Sequence, residues 1–376
     1  MLRVLILSFS PIRVDPRVMR QVDALKADYS LTLAGFGPPP DGVIFHDISA
    51  APVRFLGRAK KAILLFFRFY EIYYWRMSWV RNAMTALQDQ RFDAVIANDV
   101  VSLPLALKLA HGKPVLIDAH EYSPREFEDL LLWRLSFGGF FQHLCRKYLR
   151  KASSMTTVCQ GIADEYLRHF GVKSSVVLNC PAAQPLSALP VNQSQIQLVH
   201  HGASIRSRKL ELMIEMMHYL DARYTLDLML VNSNPQYMRE LKELASNDSR
   251  ITFHEPVPME QISATINKYD IGVFLLPPVN FNYEFALPNK FFEFVQARLA
   301  VAIGPSPEMA RILHKYGFGI VSQTFEAKDL AEQIGRLDVG AINAMKRNAD
   351  LASREFNSDQ AAAFLRSELA RLTQIN

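Results

Sequence analysis

The chain has 376 residues, of which 49% are hydrophobic, and carries a formal net charge of +5 at pH 7. This length exceeds the size at which a single core usually keeps growing, so we expect two domains. The positive charge favours an anionic partner: a phosphate ligand, an anionic lipid or nucleic acid. Nucleic acid is the least favoured of these, because the sequence has neither zinc-finger spacing nor a single-stranded RNA motif.

The three cysteines have neither paired spacing nor an even count. This argues against a disulfide framework and against a zinc site, and it favours a reducing cytoplasm. The opening MLRVLILSFS is too short for a signal-peptide core and lacks a small-residue cleavage site, so it predicts a buried strand. No apolar run reaches the length of a bilayer-spanning helix.

Short apolar runs alternate with helix-length segments along the chain. The first half carries RVLILSFS, LTLAGF, DAVIAND, PVLIDAH and SMTTVC, and the second half carries QLVHHGA, LDLMLV, ITFHE, IGVFLL and AVAIG. Continuous apolarity is typical of parallel strands covered on both faces. The pattern predicts two α/β domains, over residues 1–185 and 186–355, joined by the linker-like CPAAQPLSALPVNQSQ, and a C-terminal helix over 356–376.

Residues 57–84 interleave basic and aromatic side chains at helical spacing. An interfacial helix has this composition, with rings at headgroup depth and cations against anionic lipid. We therefore expect this segment to attach the protein to an anionic membrane surface. The alternative is a helix pair whose rings fill the first core. The basic residues are Arg58, Lys60, Lys61, Arg68, Arg76 and Arg81, and the aromatic ones are Phe66, Phe67, Phe69, Tyr73, Tyr74, Trp75 and Trp79.

Polar residues follow the predicted strands of the first domain. Asp99 comes after one strand, and Asp118, His120 and Glu121 come at the end of another. Open parallel sheets bind ligands at the carboxyl ends of their strands, so two such sheets place the expected site in a cleft between them. His120 is a candidate for function there, and the alternative is a structural histidine.

Asp15, Pro16 and Arg17 predict a helix N-cap and first turn. A role of Asp15 and Arg17 in lining the cleft is the alternative interpretation.

The second domain has neither a dinucleotide fingerprint nor a P-loop, so its phosphate contacts must come from other residues. The loop HHGASIRSRKLE follows its first strand and supplies Gly202, Arg206, Arg208 and Lys209. Arg206, Arg208 and Lys209, together with Lys290 and its helix end, could hold a pyrophosphate by charge-assisted hydrogen bonds. A basic loop that is simply solvated is the alternative.

The stretch LPNKFFE predicts the start of a helix at an anion site. Pro288 suits a first helical position, and the free N–H groups and positive dipole end of the helix would face an anion beside Lys290. Glu293 lies three residues on, on the same helical face. The alternative is a capped surface helix with an exposed Lys-Glu pair.

Four segments together resemble the retaining GT-B glycosyltransferases of family 4: DPRVMRQVDAL, PVLIDAHE, HHGASIRSRKLELMIE, and YDIGVFLLPP followed by LPNKFFEFVQARLAVAIG. The resemblance covers essentially the whole chain. It implies an α/β fold of two Rossmann-like parallel-sheet domains facing a cleft. The first would bind the acceptor and the second the nucleotide sugar, with the C-terminal helix returning to the first domain.

The resemblance also implies roles for individual residues. Glu293 takes the place of the second glutamate of an E-x7-E pair, which binds the donor ribose. Arg208 stands where the family usually has a lysine, and Lys209 where it has a glycine. The implied sets are catalytic His120, Lys290 and Arg208; donor-binding Gly202, Arg206, Lys209, Glu284, Pro288, Asn289 and Glu293; and acceptor-binding or cleft-lining Asp15, Arg17, Asp99, Asp118 and Glu121.

The sequence departs from the family pattern at the first glutamate. Phe285 holds that position, and Glu284, Asn280 or Asn282 are candidates to replace it. The glycine-rich loop of the first domain is also absent from SFSPIRVDPR.

The implied function is the retaining transfer of a sugar from a UDP- or GDP-linked donor, with no metal or other cofactor. The acceptor would be a lipid-linked glycan in cell-surface polysaccharide or glycolipid synthesis, at the inner face of the cell membrane. A sugar-nucleotide epimerase of the same fold and a non-catalytic scaffold protein are the alternatives, and Phe285 favours the second of these.

Overall fold

The computed structural model describes residues 1–50 and 62–374. They form two compact units. The first unit comprises Met1–Leu178, Asn280–Asn282 and Ala361–Asn376, and the second comprises Asn179–Val279 and Tyr283–Gln360.

The first unit is built on a parallel sheet of seven strands. They are β1 (Arg3–Pro11), β2 (Ser30–Phe36), β3 (Ile44–Asp47), β4 (Ala94–Asn98), β5 (Val115–Ala119), β6 (Ser154–Thr157) and β7 (Ser175–Val176). The strand order is β3-β2-β1-β4-β5-β6-β7. Every residue of the central strands β4 and β5 is buried, as expected for a sheet covered on both faces.

The helices of the first unit follow its strands. They are α1 (Pro16–Leu25), α2 (Tyr70–Trp75), α3 (Ser78–Leu87), α4 (Leu103–Leu109), α5 (Leu131–Ser136), α6 (Gly138–Tyr148) and α7 (Gln160–Phe170). Asp15 caps α1, because its carboxylate accepts hydrogen bonds from the N–H groups of Arg17 and Val18. The predicted N-cap is confirmed.

The second unit is built on a parallel sheet of six strands. They are β8 (Ile196–Ala203), β9 (Tyr224–Val231), β10 (Ile251–His254), β11 (Ile271–Phe274), β12 (Ala300–Ile303) and β13 (Gly319–Val321), in the order β10-β9-β8-β11-β12-β13. Its helices are α8 (Glu211–Met216), α9 (Pro235–Ala245), α10 (Ile262–Ile266), α11 (Phe281–Glu284, whose first two residues belong to the first unit), α12 (Asn289–Gln296), α13 (Pro307–Tyr316), α14 (Ala327–Gly335) and α15 (Val339–Ser353).

The last helix, α16 (Ser358–Gln374), packs on the first unit. Leu365, Leu369 and Leu372 join the apolar core that surrounds β1 and α1. The Arg366 guanidinium donates a 2.8 Å hydrogen bond to the carbonyl of Ala24 at the end of α1. The expected return of the C-terminal helix to the first domain is confirmed.

All ten predicted strands are present, and three further strands were missed. The missed strands are β3, β7 and β13, and each lies at the edge of its sheet. They have four, two and three residues, and none of them has a buried residue. Edge strands are covered on fewer sides, so their sequences lack the continuous apolar run that identified the others.

The described part of residues 57–84 does not form one continuous helix. Residues 62–66 are helical, the chain then turns at Arg68 in a left-handed conformation, and α2 and α3 follow. Phe66 and Phe67 are exposed, whereas Tyr73 and Tyr74 are buried. The aromatic rings therefore divide between the surface and the first core. Arg58, Lys60 and Lys61 lie outside the described residues.

Cys145, Cys159 and Cys180 are buried and form no disulfide. Every described helix falls short of the length or apolarity needed to cross a bilayer.

The packing of α16 gives a stability prediction. Leu369 is fully buried, so Leu369→Ala should lower the unfolding free energy of the first unit by about 2–5 kcal/mol, from lost apolar contact and the remaining cavity. Urea unfolding followed by tryptophan fluorescence measures this unit alone, because Trp75, Trp79 and Trp133 all belong to it.

The matched control is Leu351→Ala, because Leu351 is 59% exposed and belongs to the second unit. It should leave the tryptophan transition unchanged. A loss below about 0.5 kcal/mol for Leu369→Ala would show that α16 contributes no core to the first unit.

Candidate functional site

Lys290 lies in the first turn of α12, buried inside the second unit. Its Nζ is 3.0 Å from Nε2 of His200 on β8 and 4.4 Å from the ring centroid of Phe274. His200 Nδ1 is 2.8 Å from the carbonyl oxygen of Val273. A neutral imidazole has one N–H, so donation from Nδ1 leaves the Nε2 lone pair to accept from Lys290.

Burial dominates the electrostatics around Lys290. Burial and the nearby charge of Arg208 lower the pKa of Lys290 well below its usual value, and Glu293 acts in the opposite direction. Burial and the Lys290 charge also lower the pKa of His200 well below its usual value. A phosphate placed here would supply the negative charge that stabilises the ammonium form.

Gly202, at the end of β8, leaves room for this arrangement. Its φ of +127° is in a region that L side chains rarely adopt. A Cβ atom at this position would lie 3.0 Å from Lys290 Nζ and 3.8 Å from Arg208 Nη1. The glycine therefore allows Lys290 and Arg208 to approach the end of β8 together.

The helix α12 begins one residue later than predicted. Pro288 is its N-cap with extended backbone angles, and Asn289 is the first helical residue. No described side chain caps this end, so the first-turn N–H groups remain available to a ligand. The alternative of an exposed Lys-Glu pair is wrong, because Lys290 and Glu293 are only 6% and 4% exposed.

Glu293 lies one turn into α12, next to His201 of β8. The His201 Nε2 atom is 3.4 Å from Glu293 Oε2 and makes no hydrogen bond within the described part of the chain. Burial and the charge of Lys290 lower the pKa of His201 well below its usual value. The carboxylate thus lies beside a neutral imidazole.

Of the three basic residues predicted in the loop after β8, Arg208 approaches Lys290, whereas Arg206 and Lys209 lie near acidic side chains. Arg206 forms a 2.6 Å ion pair with Glu240 and lies over the Tyr237 ring. Lys209 has a left-handed backbone with φ of +53°, and its Nζ is 3.9 Å from Glu211. A glycine would adopt this conformation without strain, which accounts physically for the glycine in the family pattern.

Two of the three candidates to replace the first family glutamate are held by contacts within the first unit. Glu284 is exposed at the end of α11. Asn280 donates to Asp129 at 3.1 Å, and the Asn282 side chain accepts a 2.7 Å hydrogen bond from the backbone N–H of Tyr122. These contacts place both asparagines within the first unit.

A buried polar network lies at the carboxyl ends of β4 and β5 in the first unit. Asp118 is paired with the Arg17 guanidinium through two hydrogen bonds and also accepts from Gln21 and Thr156. Gln21 in turn bonds Asn98. Burial alone would raise the pKa of Asp118, but the Arg17 charge outweighs it and lowers this pKa well below its usual range.

His120 lies at the surface of this network, with its side chain 20% exposed. Its backbone N–H donates to Asp99 at 2.9 Å. The ring atoms Nδ1 and Nε2 lie 3.5 Å from carboxylate oxygens of Asp99 and Asp118. Burial would lower the pKa of His120, but the two carboxylates raise it to about 9. The imidazole is therefore a cation at neutral pH, and its Nε2 makes no hydrogen bond within the described part of the chain.

Sequence reasoning missed several polar residues of these sites. Burial, with the charges of Glu121 and Asp99, raises the pKa of Glu126 to about 8. Glu126 follows a short 3₁₀ turn rather than a strand, so the strand-end rule could not find it. His200 and His201 lie inside an apolar run and were interpreted as strand residues alone. Glu121 itself is exposed.

No group of three or more potential His, Cys, Asp or Glu ligands is arranged to hold a metal ion among the described residues.

Comparison with known proteins gives a family match and structural neighbours. The model of "Glycosyltransferase Family 4" matches residues 31–180. A comparison with curated protein sequences gave no match.

Solved structures match the chain over nearly its full length. Sucrose-phosphate synthase of Thermosynechococcus elongatus is 14% identical with a TM-score of 0.71, covering 99% of this chain and 98% of that one. HepE of Anabaena, in a complex with UDP-glucose, is 13% identical with a TM-score of 0.72 and covers 100% of both chains. WaaG, described as a glycosyltransferase involved in lipopolysaccharide biosynthesis, is 14% identical with a TM-score of 0.63, covering 96% and 99%.

At these identities the neighbours establish the fold, and the family match covers much of the first unit. The chain therefore has the GT-B glycosyltransferase fold, and the predicted resemblance to glycosyltransferase family 4 is confirmed.

Proposed function

We propose that this protein is a retaining glycosyltransferase that uses a UDP- or GDP-linked sugar without a metal ion. The acceptor is a lipid-linked glycan, and the product belongs to a cell-surface polysaccharide or glycolipid. The protein works at the inner face of the cell membrane. The buried Lys290, held at the start of α12 with a neutral imidazole as its hydrogen-bond partner among the described residues, carries the proposal.

The donor diphosphate binds where Lys290, Arg208 and the first turn of α12 converge. As the sugar leaves, negative charge grows on the diphosphate, and preorganised donors stabilise that charge. Glu293, one turn further along α12, accepts hydrogen bonds from the ribose hydroxyls. Anabaena HepE, which shares the fold, is described in a complex with UDP-glucose, and this supports a nucleotide-sugar donor here.

The reaction exchanges one bond to the anomeric carbon for another. The bond from the anomeric carbon to the phosphate oxygen breaks, and the acceptor oxygen bonds the same face of the sugar. The acceptor proton passes to the departing diphosphate. His120, held as a cation by Asp99 and Asp118, contacts the reacting sugar through the exposed part of its ring and acts as no base.

Membrane attachment through residues 57–84 supplies the lipid-linked acceptor. Phe66, Phe67 and Phe69 are all more than half exposed and follow one another closely in the chain. Exposed rings beside arginines are typical of protein surfaces that enter the headgroup region. WaaG, with the same fold, acts in lipopolysaccharide synthesis, which agrees with a membrane acceptor.

The donor site is tested by calorimetry with UDP and GDP, each with and without a chelator. Lys290→Ala and Glu293→Ala should each weaken binding of the favoured diphosphate about 10- to 100-fold, since a lost charge-assisted hydrogen bond costs about 1.5–3 kcal/mol. Chelator should leave the wild-type affinity unchanged.

Lys315→Ala and Glu332→Ala are the matched controls, because both side chains are exposed on other helices of the second unit. They should bind like the wild type. Unchanged affinity in both site variants, with an intact fold, would disprove the assignment.

The role of His120 is tested by the pH dependence of turnover. Because the pKa of His120 is raised from 6.5 to about 9, the active cation is present at neutral pH and is lost as the pH rises above about 9. The value of kcat should therefore fall above about pH 9. His120→Gln, which donates without titrating, should remove this step, and His120→Ala should lower kcat far more than donor affinity.

Turnover is measured with a sugar linked to the diphosphate, UDP or GDP, that binds more tightly in calorimetry. Total membrane lipid serves as the acceptor, or the release of free sugar from the donor is followed instead. An unchanged rate for His120→Ala at saturating donor would assign His120 a structural role.

Membrane attachment is tested by sedimentation with liposomes. Wild-type protein should bind phosphatidylglycerol vesicles more strongly than neutral ones, and salt should weaken this binding. Joint replacement of Lys60, Lys61, Arg68 and Trp75 should abolish it. Equal binding to both vesicle types, or full binding by the folded variant, would exclude this segment as the anchor.

A further inference from the structure

A groove of about 1300 Å³ opens on the first unit, between the helical residues 62–66 with the start of α2 on one side and α5 with α6 on the other. This exceeds the roughly 300–1,000 Å³ that is typical of pockets for drug-sized ligands. Both walls carry apolar side chains among polar and basic ones. The groove lies outside the polar network around His120.

The apolar walls are unusually exposed. Phe66 and Phe67 on one wall, and Leu132 and Leu135 on the other, are between 61% and 80% exposed. Singly exposed apolar residues need no explanation, but a contiguous set of this size indicates a binding surface. Hydrocarbon is the ligand chemistry that such walls favour.

The charged residues that line the groove are all basic. Arg68, Arg134, Arg146 and Lys147 line it, and none of the three arginines forms an ion pair with any described residue. No aspartate or glutamate belongs to the described lining. Three uncompensated guanidinium groups beside hydrocarbon walls are complementary to a phosphate attached to a long apolar chain.

The nearby carboxylate of Glu71 does not neutralise these arginines. It accepts from His143 at 2.7 Å and Tyr148 at 2.8 Å, and it pairs with Lys147 at 2.9 Å. Burial would raise the pKa of Glu71, but these contacts lower it to about 2. This charge is satisfied internally, and its contacts join α2 on one side of the groove to α6 on the other.

We propose that this groove binds the lipid phosphate of the acceptor: the hydrocarbon chain lies between Phe66, Phe67, Leu132 and Leu135, and the phosphate pairs with Arg68, Arg134 and Arg146. The proposal rests on the proposed glycosyl transfer to a lipid-linked acceptor. The groove holds one lipid molecule, in addition to the proposed attachment of residues 57–84 to a bilayer. The lipid phosphate is thereby held by the first unit before its glycan reacts.

The test uses farnesyl phosphate as a monomeric probe, below its aggregation concentration and without any bilayer. Calorimetry is done with saturating UDP or GDP, so that the probe cannot occupy the donor site. Farnesyl phosphate should bind at least 10-fold more tightly than farnesol or inorganic phosphate, because only it contacts both the walls and the arginines. The same affinity in Lys290→Ala would show that binding is independent of the donor site.

The variants remove one part of the groove at a time. Leu135→Asp and Arg146→Glu should each weaken farnesyl phosphate binding at least 10-fold. Both residues are exposed, so the fold should survive, and thermal unfolding checks this. The matched controls Leu351→Asp and Arg336→Glu, exposed in the second unit, should bind like the wild type.

Three results would overturn the proposal: no binding of monomeric farnesyl phosphate, binding that both groove variants retain, or binding only to phosphatidylglycerol vesicles. The last would make the groove part of a bilayer-contact surface. Each can occur while UDP or GDP still binds at Lys290, so failure here is distinguishable from failure of the proposed transferase function.

Discussion

The contact between the Lys290 ammonium and the His200 imidazole constrains the whole ligand side of the second unit. It requires β8 to carry a histidine inside an apolar strand, and β11 to offer the Val273 carbonyl that fixes its tautomer. It also requires position 202 to lack a side chain. A buried amine so poorly compensated is unfavourable for the empty protein, and it becomes favourable only when an anion enters. In the proposed function, the arrangement exchanges stability for affinity toward a phosphate.

In the first unit, by contrast, the central buried charge is compensated. Its central carboxylate, Asp118, is saturated by Arg17, Gln21 and Thr156, so it is a fixed charge that does not titrate near neutral pH. That charge, with Asp99, keeps His120 cationic at the edge of the network. In the proposed function, the second unit offers positive charge for the leaving group, and the first unit offers a cationic histidine held by the buried Asp118 and the partly exposed Asp99.

The sequence predicted the fold well because apolar runs determine central strands. It failed at β3, β7 and β13, whose edge positions leave them short and partly solvated.

The candidate site was predictable where a local rule applied: Pro288 and Lys290 mark a helix start, and Gly202 marks a close approach. It was not predictable where tertiary pairing decides. Arg206 pairs with Glu240 and the Asn282 amide contacts Tyr122, and the pKa of Glu126 is raised by burial and by the charges of Glu121 and Asp99. The turn at Arg68, which exposes Phe66 and Phe67, has no sequence signal either.

Proton linkage of diphosphate binding tests the central claim most directly. Calorimetry with UDP and GDP, in buffers of different ionisation enthalpy between pH 7 and 9.5, gives the number of protons taken up. Arg208, Glu293, His200 and His201 surround Lys290, and burial lowers its pKa in the empty site. A bound diphosphate should raise that pKa, so uptake should grow as pH rises through the empty-site value and should vanish in Lys290→Met. Binding without proton uptake at any pH, or equal uptake in Lys290→Met, would contradict the account.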